Sequence, residues 1–264
     1  MPAPLNPFKA ALAKGHVQIG CWVGLGTAYT AEIAGTAGFD WLLIDSEHVP
    51  NDLRSISDQV GALQGSDSAV VVRMPGHDPD AIKQVLDAGV QSLLIPMVDS
   101  AEQARALVQA VRYPPHGRRG VGYALGRASH WGAIPDYLTT ADAQVCLLVQ
   151  VESRAGLAAL DEILAVDGVD GVFIGPADLA VDMGHAPTAE APALRTAVLD
   201  ALGRIRAAGK AGGILTLDPD FAARCIATGA TFIAQEIDVL VLAGGLRASA
   251  AAAKRALTEE GKDI

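Results

Sequence analysis

Polar side chains of types that could take part in a reaction follow an apolar segment early in this chain. The segment runs from Trp41 to Ile44, and Asp45, Glu47 and His48 come directly after it. A short apolar run that ends in polar residues is typical of a fully buried parallel strand. Because α/β barrels and open α/β sheets carry their chemistry at the carboxyl ends of the strands, we expect these three side chains to line a site.

Three further apolar segments end in polar residues of the same kind. Arg73 ends the segment AVVVR, Gln150 and Glu152 end CLLVQVE, and Gly175 and Asp178 belong to the turn GPAD after GVFI. Gln150 and Glu152 are two residues apart and therefore share one face at the end of a strand. Acids, a base and an arginine that are buried together are unfavourable unless their charges are paired or hold a metal.

Glu152 and Asp178 are the pair best suited to bind a metal ion. Carboxylates are hard oxygen ligands, and no cysteine or second histidine is near, so the pair favours Mg²⁺, Mn²⁺ or a similar ion over structural zinc. Two protein ligands leave positions open for water and a chelating substrate. In the alternative interpretation, the two acids only balance the charges of Arg73 and Arg154.

The other polar groups indicate proton and anion chemistry. Arg73 carries a permanent charge that can stabilise an oxyanion, and His48 is a suitable proton acceptor near neutral pH. The Gly-Pro turn predicts a short helix whose free N–H groups, at Ala177 and Asp178, would bind a carboxylate or phosphate. No lysine ends a predicted strand, which argues against covalent catalysis through an amine.

The elements that must position these groups alternate along the chain. We predict strands over residues 17–23, 40–45, 69–73, 91–97, 144–151, 170–174, 212–215 and 231–235. We predict helices over residues 5–14, 27–37, 52–63, 79–88, 100–111, 193–208, 219–228 and 239–258. Eight strands in such an alternation indicate a (β/α)8 TIM barrel, which is an α/β fold with right-handed crossovers. The alternative is an open doubly wound sheet, but Tyr29 stands where its fingerprint requires a third glycine.

Composition limits the class of protein. The chain has 264 residues, of which 50% are hydrophobic, and a formal net charge of −10, which argues against a nucleic-acid partner. No apolar run approaches the roughly 18 residues of a membrane span. Three cysteines in apolar surroundings and the absence of a signal-peptide pattern favour a reducing compartment. We therefore expect one cytoplasmic barrel domain over residues 1–264.

Four segments of the chain resemble a known family. They are GFDWLLIDSEH (38–48), VRMP (72–75), LVQVE (148–152) and GVDGVFIGPADL (168–179). In this order they are similar to the HpcH/HpaI aldolase/citrate lyase family, and among its members to class II pyruvate aldolases of the 4-hydroxy-2-oxoheptanedioate or 2-dehydro-3-deoxyglucarate type. The resemblance implies a metal-dependent carbon–carbon lyase that reversibly cleaves 4-hydroxy-2-oxo acids into pyruvate and an aldehyde.

The resemblance also implies roles for the metal and pyruvate ligands. Glu152 and Asp178 would bind a divalent cation such as Mg²⁺, Mn²⁺ or Co²⁺. Gln150 and the turn of Gly175, Ala177 and Asp178 would contact the pyruvyl unit. Residues outside this set would select the aldehyde.

The resemblance also implies which residues stabilise the enolate and which transfer the proton. By resemblance, Arg73 would stabilise the enolate and His48 would be the general base. The acid that supports this histidine in the family corresponds to Asp87, which ends a predicted helix and would reach His48 only from a neighbouring subunit. Asp45 is the candidate for that role within one chain, and Glu47 would help to orient His48 and metal-bound water.

The family's assembly and this chain's departures from the family lead to further expectations. By resemblance, the chain would form a homo-oligomer, a hexamer built as a trimer of dimers, and its last helix could be exchanged between subunits or pack on its own barrel. Tyr123 and the stretch 235–237 depart from the family pattern near the expected mouth of the barrel, so the aldehyde remains open.

Two other functions are possible from the sequence. One is the cleavage of a coenzyme A thioester, as in citrate lyase or malyl-CoA lyase, for which Arg118, Arg119 and Arg127 would bind the coenzyme. The other is a barrel that binds a keto acid without catalysis.

Overall fold

The computed structural model describes residues 1–187 and 191–259. Eight parallel strands form a closed barrel in sequence order, which confirms the predicted TIM barrel. The strands are β1 (Gln18–Val23), β2 (Trp41–Asp45), β3 (Ala69–Arg73), β4 (Ser92–Ile95), β5 (Cys146–Val151), β6 (Gly171–Ile174), β7 (Ala211–Leu215) and β8 (Ala230–Ile237).

Helices cover the outside of the barrel. They are α1 (Pro7–Ala13), α2 (Ala28–Gly35), α3 (Leu53–Ala62), α4 (Pro79–Asp87), α5 (Ala101–Val111), α6 (Tyr137–Thr140), α7 (Arg154–Ala158), α8 (Leu160–Leu164), α9 (Pro176–Asp182), α10 (Pro192–Ala207), α11 (Pro219–Thr228) and α12 (Asp238–Glu259). The predicted elements omit α6, α7 and α8, because helices of four or five residues are too short to show a helical period.

Aromatic side chains fill the inside of the barrel. Trp41 and Phe232 point inward from β2 and β8, and their ring centroids lie 6.1 Å apart. Glycines on the neighbouring strands provide the space, since a Cβ on Gly20 would overlap the Trp41 ring and a Cβ on Gly213 would overlap Phe232. Phe8 of α1 packs 5.7 Å from Trp41. This packed layer supports the polar residues at the carboxyl ends of the strands.

Strand β8 is longer than the sequence predicts and contains a bulge. Gly20 pairs with Ala234, whereas the next residue, Cys21, pairs with Glu236, so Gln235 is the extra residue. A bulge of this kind bends a strand and redirects its side chains. As a result, β8 continues to Ile237, whose side chain faces the cavity described below.

Helix α12 leaves the barrel after its first turn. The Asp238 carboxylate accepts hydrogen bonds from the N–H groups of Gly24, at 2.7 Å, and Leu25, at 3.2 Å, and these bonds attach the start of the helix. Beyond Ala243, every described side chain of the helix is exposed. The single chain therefore does not pack the length of α12 against its own barrel. Within the described residues, no helix combines the length and hydropathy needed to cross a membrane.

Candidate active site

A cavity of about 470 Å³ opens at the carboxyl ends of the strands. It brings together eight of the ten predicted site residues: Asp45, His48, Arg73, Gln150, Glu152, Gly175, Ala177 and Asp178. Glu47 lies beside them through its contact with Arg73. Asp87 does not line this cavity.

Arg73 is the best-connected charge in the cavity. Its Nε and Nη2 donate to Asp45 Oδ1 and Oδ2 at 2.8 and 2.6 Å. Its Nη1 lies 2.8 Å from Glu47 Oε2, as an ion pair without an N–H aligned on that oxygen. The guanidinium carbon is 5.1 Å from the centre of the Trp22 ring. Arg73 is thus fixed on three sides, as a group that must stabilise developing charge should be.

Asp45 orients Arg73, in contrast to its predicted role beside His48. The register of β2 and β3 pairs Asp45 with Arg73 directly, which brings the two side chains together. Burial alone would raise the pKa of Asp45, but the hydrogen bonds and charge of Arg73 outweigh it and lower that pKa below its usual value. Asp45 therefore carries a negative charge at neutral pH, and this charge is paired with that of Arg73.

Glu47 is the carboxylate that contacts His48. The distance from Glu47 Oε2 to His48 Nε2 is 3.9 Å, which is an ion-pair contact and too long for a hydrogen bond. Burial raises the pKa of Glu47, and the attraction of Arg73 offsets only part of this effect. The His48 side chain is 65% exposed, so it is accessible to a substrate and lacks the tight orientation that a second carboxylate would provide.

Glu152 is buried, and both of its oxygens accept hydrogen bonds. Oε1 accepts from the Met97 N–H at 2.8 Å, and Oε2 accepts from the side-chain amide of Gln150. Burial raises the pKa of Glu152 to about 7, and the nearby charges of Asp178 and Glu47 add to this rise. The carboxylate is held in a fixed plane but lacks a cationic partner among these contacts.

Gly175 provides the space that Glu152 occupies. A Cβ at position 175 would lie 2.8 Å from Glu152 Cβ and would overlap its Oε2. The next residue, Pro176, begins α9, and Asp178 lies in the first turn of that helix. The Gly-Pro-Ala-Asp turn therefore brings Asp178 to the cavity while leaving Glu152 in place.

The charges of the site fit a divalent cation. Asp45 and Glu47 contact Arg73, whereas Glu152 accepts hydrogen bonds only from neutral donors and lies near the charge of Asp178. Within the described residues, no group of three or more His, Cys, Asp or Glu side chains could enclose a metal ion. The protein would thus supply two carboxylates and leave the other positions to water and substrate, as is common for Mg²⁺ and similar ions. Gln150 Oε1 is buried without a hydrogen-bond partner and adds a polar atom for a bound group.

Three cavity features were not predicted from the sequence. Trp22 stacks on Arg73, Met97 holds Glu152, and Val49, Leu215 and Val239 provide apolar surface. Ile237, from the stretch expected near the mouth, also lines the cavity. Trp22 lies at the end of a predicted strand and could have been found by the same rule as Arg73. The role of Met97 depends on its backbone N–H, which has no sequence signature.

Other predicted residues lie elsewhere. Asp87 accepts a hydrogen bond from Arg119 Nη2 at 2.7 Å, and the Arg119 side chain is 1% exposed. Tyr123, expected near the mouth, stacks instead on Tyr137 at 6.1 Å, because the connection folds back into its own apolar cluster. Arg127 donates to the Ala88 carbonyl. The arginines expected to bind coenzyme A thus do not line the cavity.

Comparisons with known proteins identify the family and several similar chains. The family model described as HpcH/HpaI aldolase/citrate lyase matches residues 18–243. A protein named hydroxypyruvate/pyruvate aldolase from Roseovarius nubinhibens is 61% identical over 243 residues, which is 92% of this chain and 95% of the relative. A protein named 2-keto-3-deoxy-L-rhamnonate aldolase from Escherichia coli is 51% identical over 241 residues, or 91% of this chain and 90% of the relative.

A solved structure shows the same fold. The crystal structure of an HpcH/HpaI aldolase/citrate lyase family protein from Burkholderia cenocepacia superimposes with a TM-score of 0.88 at 38% sequence identity. The match covers 95% of this chain and 99% of the other.

Proposed function

This chain belongs to the HpcH/HpaI aldolase/citrate lyase family and is a carbon–carbon lyase, and we propose that it is a divalent-metal-dependent aldolase. It would reversibly cleave a 4-hydroxy-2-oxo acid into an aldehyde and either pyruvate or hydroxypyruvate. The observation that carries the proposal is the cavity in which Glu152 and Asp178 lie beside a fixed Arg73. The names of the relatives support the choice of the keto acid.

Each side chain has a place in the reaction. Glu152 and Asp178 would hold the metal, which would polarise the 2-oxo group and stabilise the enolate. Arg73 would stabilise the negative charge that develops on the same oxygen. In the cleavage direction, His48 would take the proton of the C4 hydroxyl, the C3–C4 bond would break, and the electron pair would remain on the enolate. Protonation of the enolate at C3 would release the keto acid.

Metal removal tests this function. Exhaustive chelation should abolish release of pyruvate or hydroxypyruvate from 4-hydroxy-2-oxo acids, and Mg²⁺, Mn²⁺ or Co²⁺ should restore it. Full activity after chelation would refute metal dependence. Treatment with borohydride and pyruvate should leave the protein mass unchanged, because the proposed reaction forms no Schiff base.

We also propose that the protein acts as a homo-oligomer, with a hexamer as the expected form. Val239 to Leu242 and Leu246 are exposed in the single chain, and an apolar helix of this kind favours packing against another subunit, including exchange of α12. Light scattering should show an oligomer, and truncation before α12 should produce smaller species. A monomeric full-length chain at micromolar concentration would contradict the proposal.

The expected partnership of Asp87 with a neighbour's His48 can be tested by mixing. The variants His48→Ala and Asp87→Ala should each be weak alone. Co-assembly of the two creates sites with an intact His48 from one chain and an intact Asp87 from another, so activity should return if the pair acts between subunits. No recovery in verified mixed oligomers would contradict this role.

The cytoplasm is the compartment that we propose. All three cysteines are free and buried: Cys21, Cys146 and Cys225. Free thiols of this kind are typical of reducing compartments.

A further inference from the structure

Met97 has an unusual backbone conformation at the carboxyl end of β4. Its φ is +54°, in the left-handed region, which L-residues other than Asn and Asp rarely adopt. Among the described residues, the other non-glycine positions with positive φ are His130 and Trp131, outside the cavity. Residues held in such conformations persist only where the surrounding structure imposes them, and they are concentrated at functional sites.

The conformation of Met97 interrupts the pairing of β4 with β5. Ile95 pairs with Val149, but the next β5 carbonyl, that of Gln150, accepts from Val98 at 2.9 Å. Pro96 and Met97 therefore form a bulge between the two paired positions. The bulge directs the Met97 N–H to Glu152 Oε1, at 2.8 Å.

The peptide bond between Pro96 and Met97 is held at both ends. Its N–H donates to Glu152, and its carbonyl lies 2.7 Å from His77 Nε2. Because a carbonyl only accepts, Nε2 of His77 must carry the proton in this bond. His77 is half-buried in the loop after β3. The contact on one end of the peptide thus restrains the direction of the N–H at the other.

We propose that Met97 and His77 are positioning residues that orient Glu152 for metal binding. Met97 fixes one carboxylate oxygen through its left-handed backbone, and His77 keeps that peptide from rotating. Gln150 fixes the second oxygen, so the carboxylate meets the metal in a preset plane. This inference rests on the proposed function, because it requires Glu152 to be a metal ligand.

Substitutions at position 97 separate the backbone effect from the side-chain effect. Met97→Val places a β-branched residue in a conformation that it strongly disfavours, so the peptide should rotate and release Glu152. Met97→Leu keeps a side chain of similar size that, like methionine, is not branched at Cβ. Met97→Gly tolerates the left-handed region. His77→Phe removes the contact with the Pro96 carbonyl without touching position 97. Trp131→Val is the matched control, since it introduces the same strain at a φ of +54° away from the cavity.

The measurement is Mn²⁺ binding to the metal-free protein, followed by electron paramagnetic resonance, with Glu152→Gln as the reference for loss of the site. Met97→Val and His77→Phe should each weaken Mn²⁺ binding about tenfold, because both free the Pro96–Met97 peptide and so remove the hydrogen bond from the Met97 N–H to the charged Glu152 carboxylate. Met97→Leu, Met97→Gly and Trp131→Val should bind Mn²⁺ like the unaltered protein. Thermal unfolding of each variant shows whether it is folded.

The outcomes distinguish this inference from the proposed function. If the unaltered protein binds no Mn²⁺, or if Glu152→Gln binds it equally well, the metal site itself is refuted and the inference fails with it. If Glu152→Gln abolishes binding but Met97→Val and His77→Phe bind Mn²⁺ normally, only the inference is overturned. A lower melting temperature with unchanged Mn²⁺ affinity would show that the bulge serves the fold alone. If Met97→Val does not fold, His77→Phe decides the question.

Discussion

Replacement of Asp45 by asparagine tests the buried pair at the centre of the site. Asp45 and Arg73 are 2% and 8% exposed and share two hydrogen bonds. Removing one partner of a buried pair costs about 3–5 kcal/mol when the other charge is left alone. Here Glu47 still lies 2.8 Å from Arg73, and the amide oxygen of asparagine can accept one N–H. We therefore expect Asp45→Asn to lower the free energy of unfolding by about 2–3 kcal/mol.

The effect of Asp45→Asn should depend on pH in a defined direction. Arg73 lowers the pKa of Asp45 in the folded state against the opposing effect of burial. A group with a lowered pKa stabilises the fold fully above its unfolded pKa, which is about 3.9 for aspartate, and loses this contribution as the pH falls through the folded value. The stability difference between the original protein and the variant should be constant near neutral pH and shrink below about pH 4.

Urea unfolding and steady-state kinetics measure the two consequences. Asp182→Asn is the matched control, because Asp182 forms an ion pair with Arg154 at 3.1 Å on the exposed surface, where such pairs contribute little. Asp45→Asn should also lower kcat, since Arg73 loses its orientation, whereas the control should keep full activity. Equal stability of Asp45→Asn and the original protein at pH 7, or a difference that widens in acid, would refute the reasoning.

Three other changes have expected outcomes. Gly175→Ala should cost about 1–3 kcal/mol of unfolding free energy in urea and weaken Mn²⁺ binding, because its Cβ collides with Glu152; Gly61→Ala, whose Cβ meets nothing within 4 Å, should do neither. Leu215→Arg should raise kcat/KM for aldehydes that carry a carboxylate relative to neutral ones, since it adds a cation to the apolar cavity wall, and the exposed Leu217→Arg should leave this ratio unchanged. Iodoacetamide at pH 8 should label no cysteine before unfolding in urea and all of them afterwards, because burial raises the pKa of each thiol: Cys21, Cys146 and Cys225.

The placement of the site could be predicted because it depends on local patterns. The predicted strand over 69–73 coincides with β3, and Arg73 ends it. Buried parallel strands are recognisable as apolar runs, and closure of the barrel brings their ends to one face. Residues as distant in sequence as His48 and Asp178 therefore meet at one cavity.

The pairing within the site could not be predicted, because it depends on register and backbone direction. Asp45 lies opposite Arg73 only through the alignment of β2 with β3, and an alignment one residue away would turn its side chain outward. The bond from Met97 to Glu152 requires a positive φ at Met97, and a methionine in the sequence gives no indication of that conformation. The connection containing Tyr123 has no periodicity, so its return to Tyr137 was not visible in the sequence.

The structure divides the four acids of the cavity into two pairs with different tasks. Asp45 and Glu47 both contact Arg73, so their charges are partly neutralised within the protein. Glu152 receives only hydrogen bonds from neutral donors, Gln150 and Met97, and the charge of Asp178 acts against it. Because the charge of Asp178, which is exposed at the edge of the cavity, acts against ionisation of the buried Glu152, a bound dication would relieve this repulsion as well as activate the substrate. The repulsion between Glu152 and Asp178 is thus the physical reason for proposing a metal at this position.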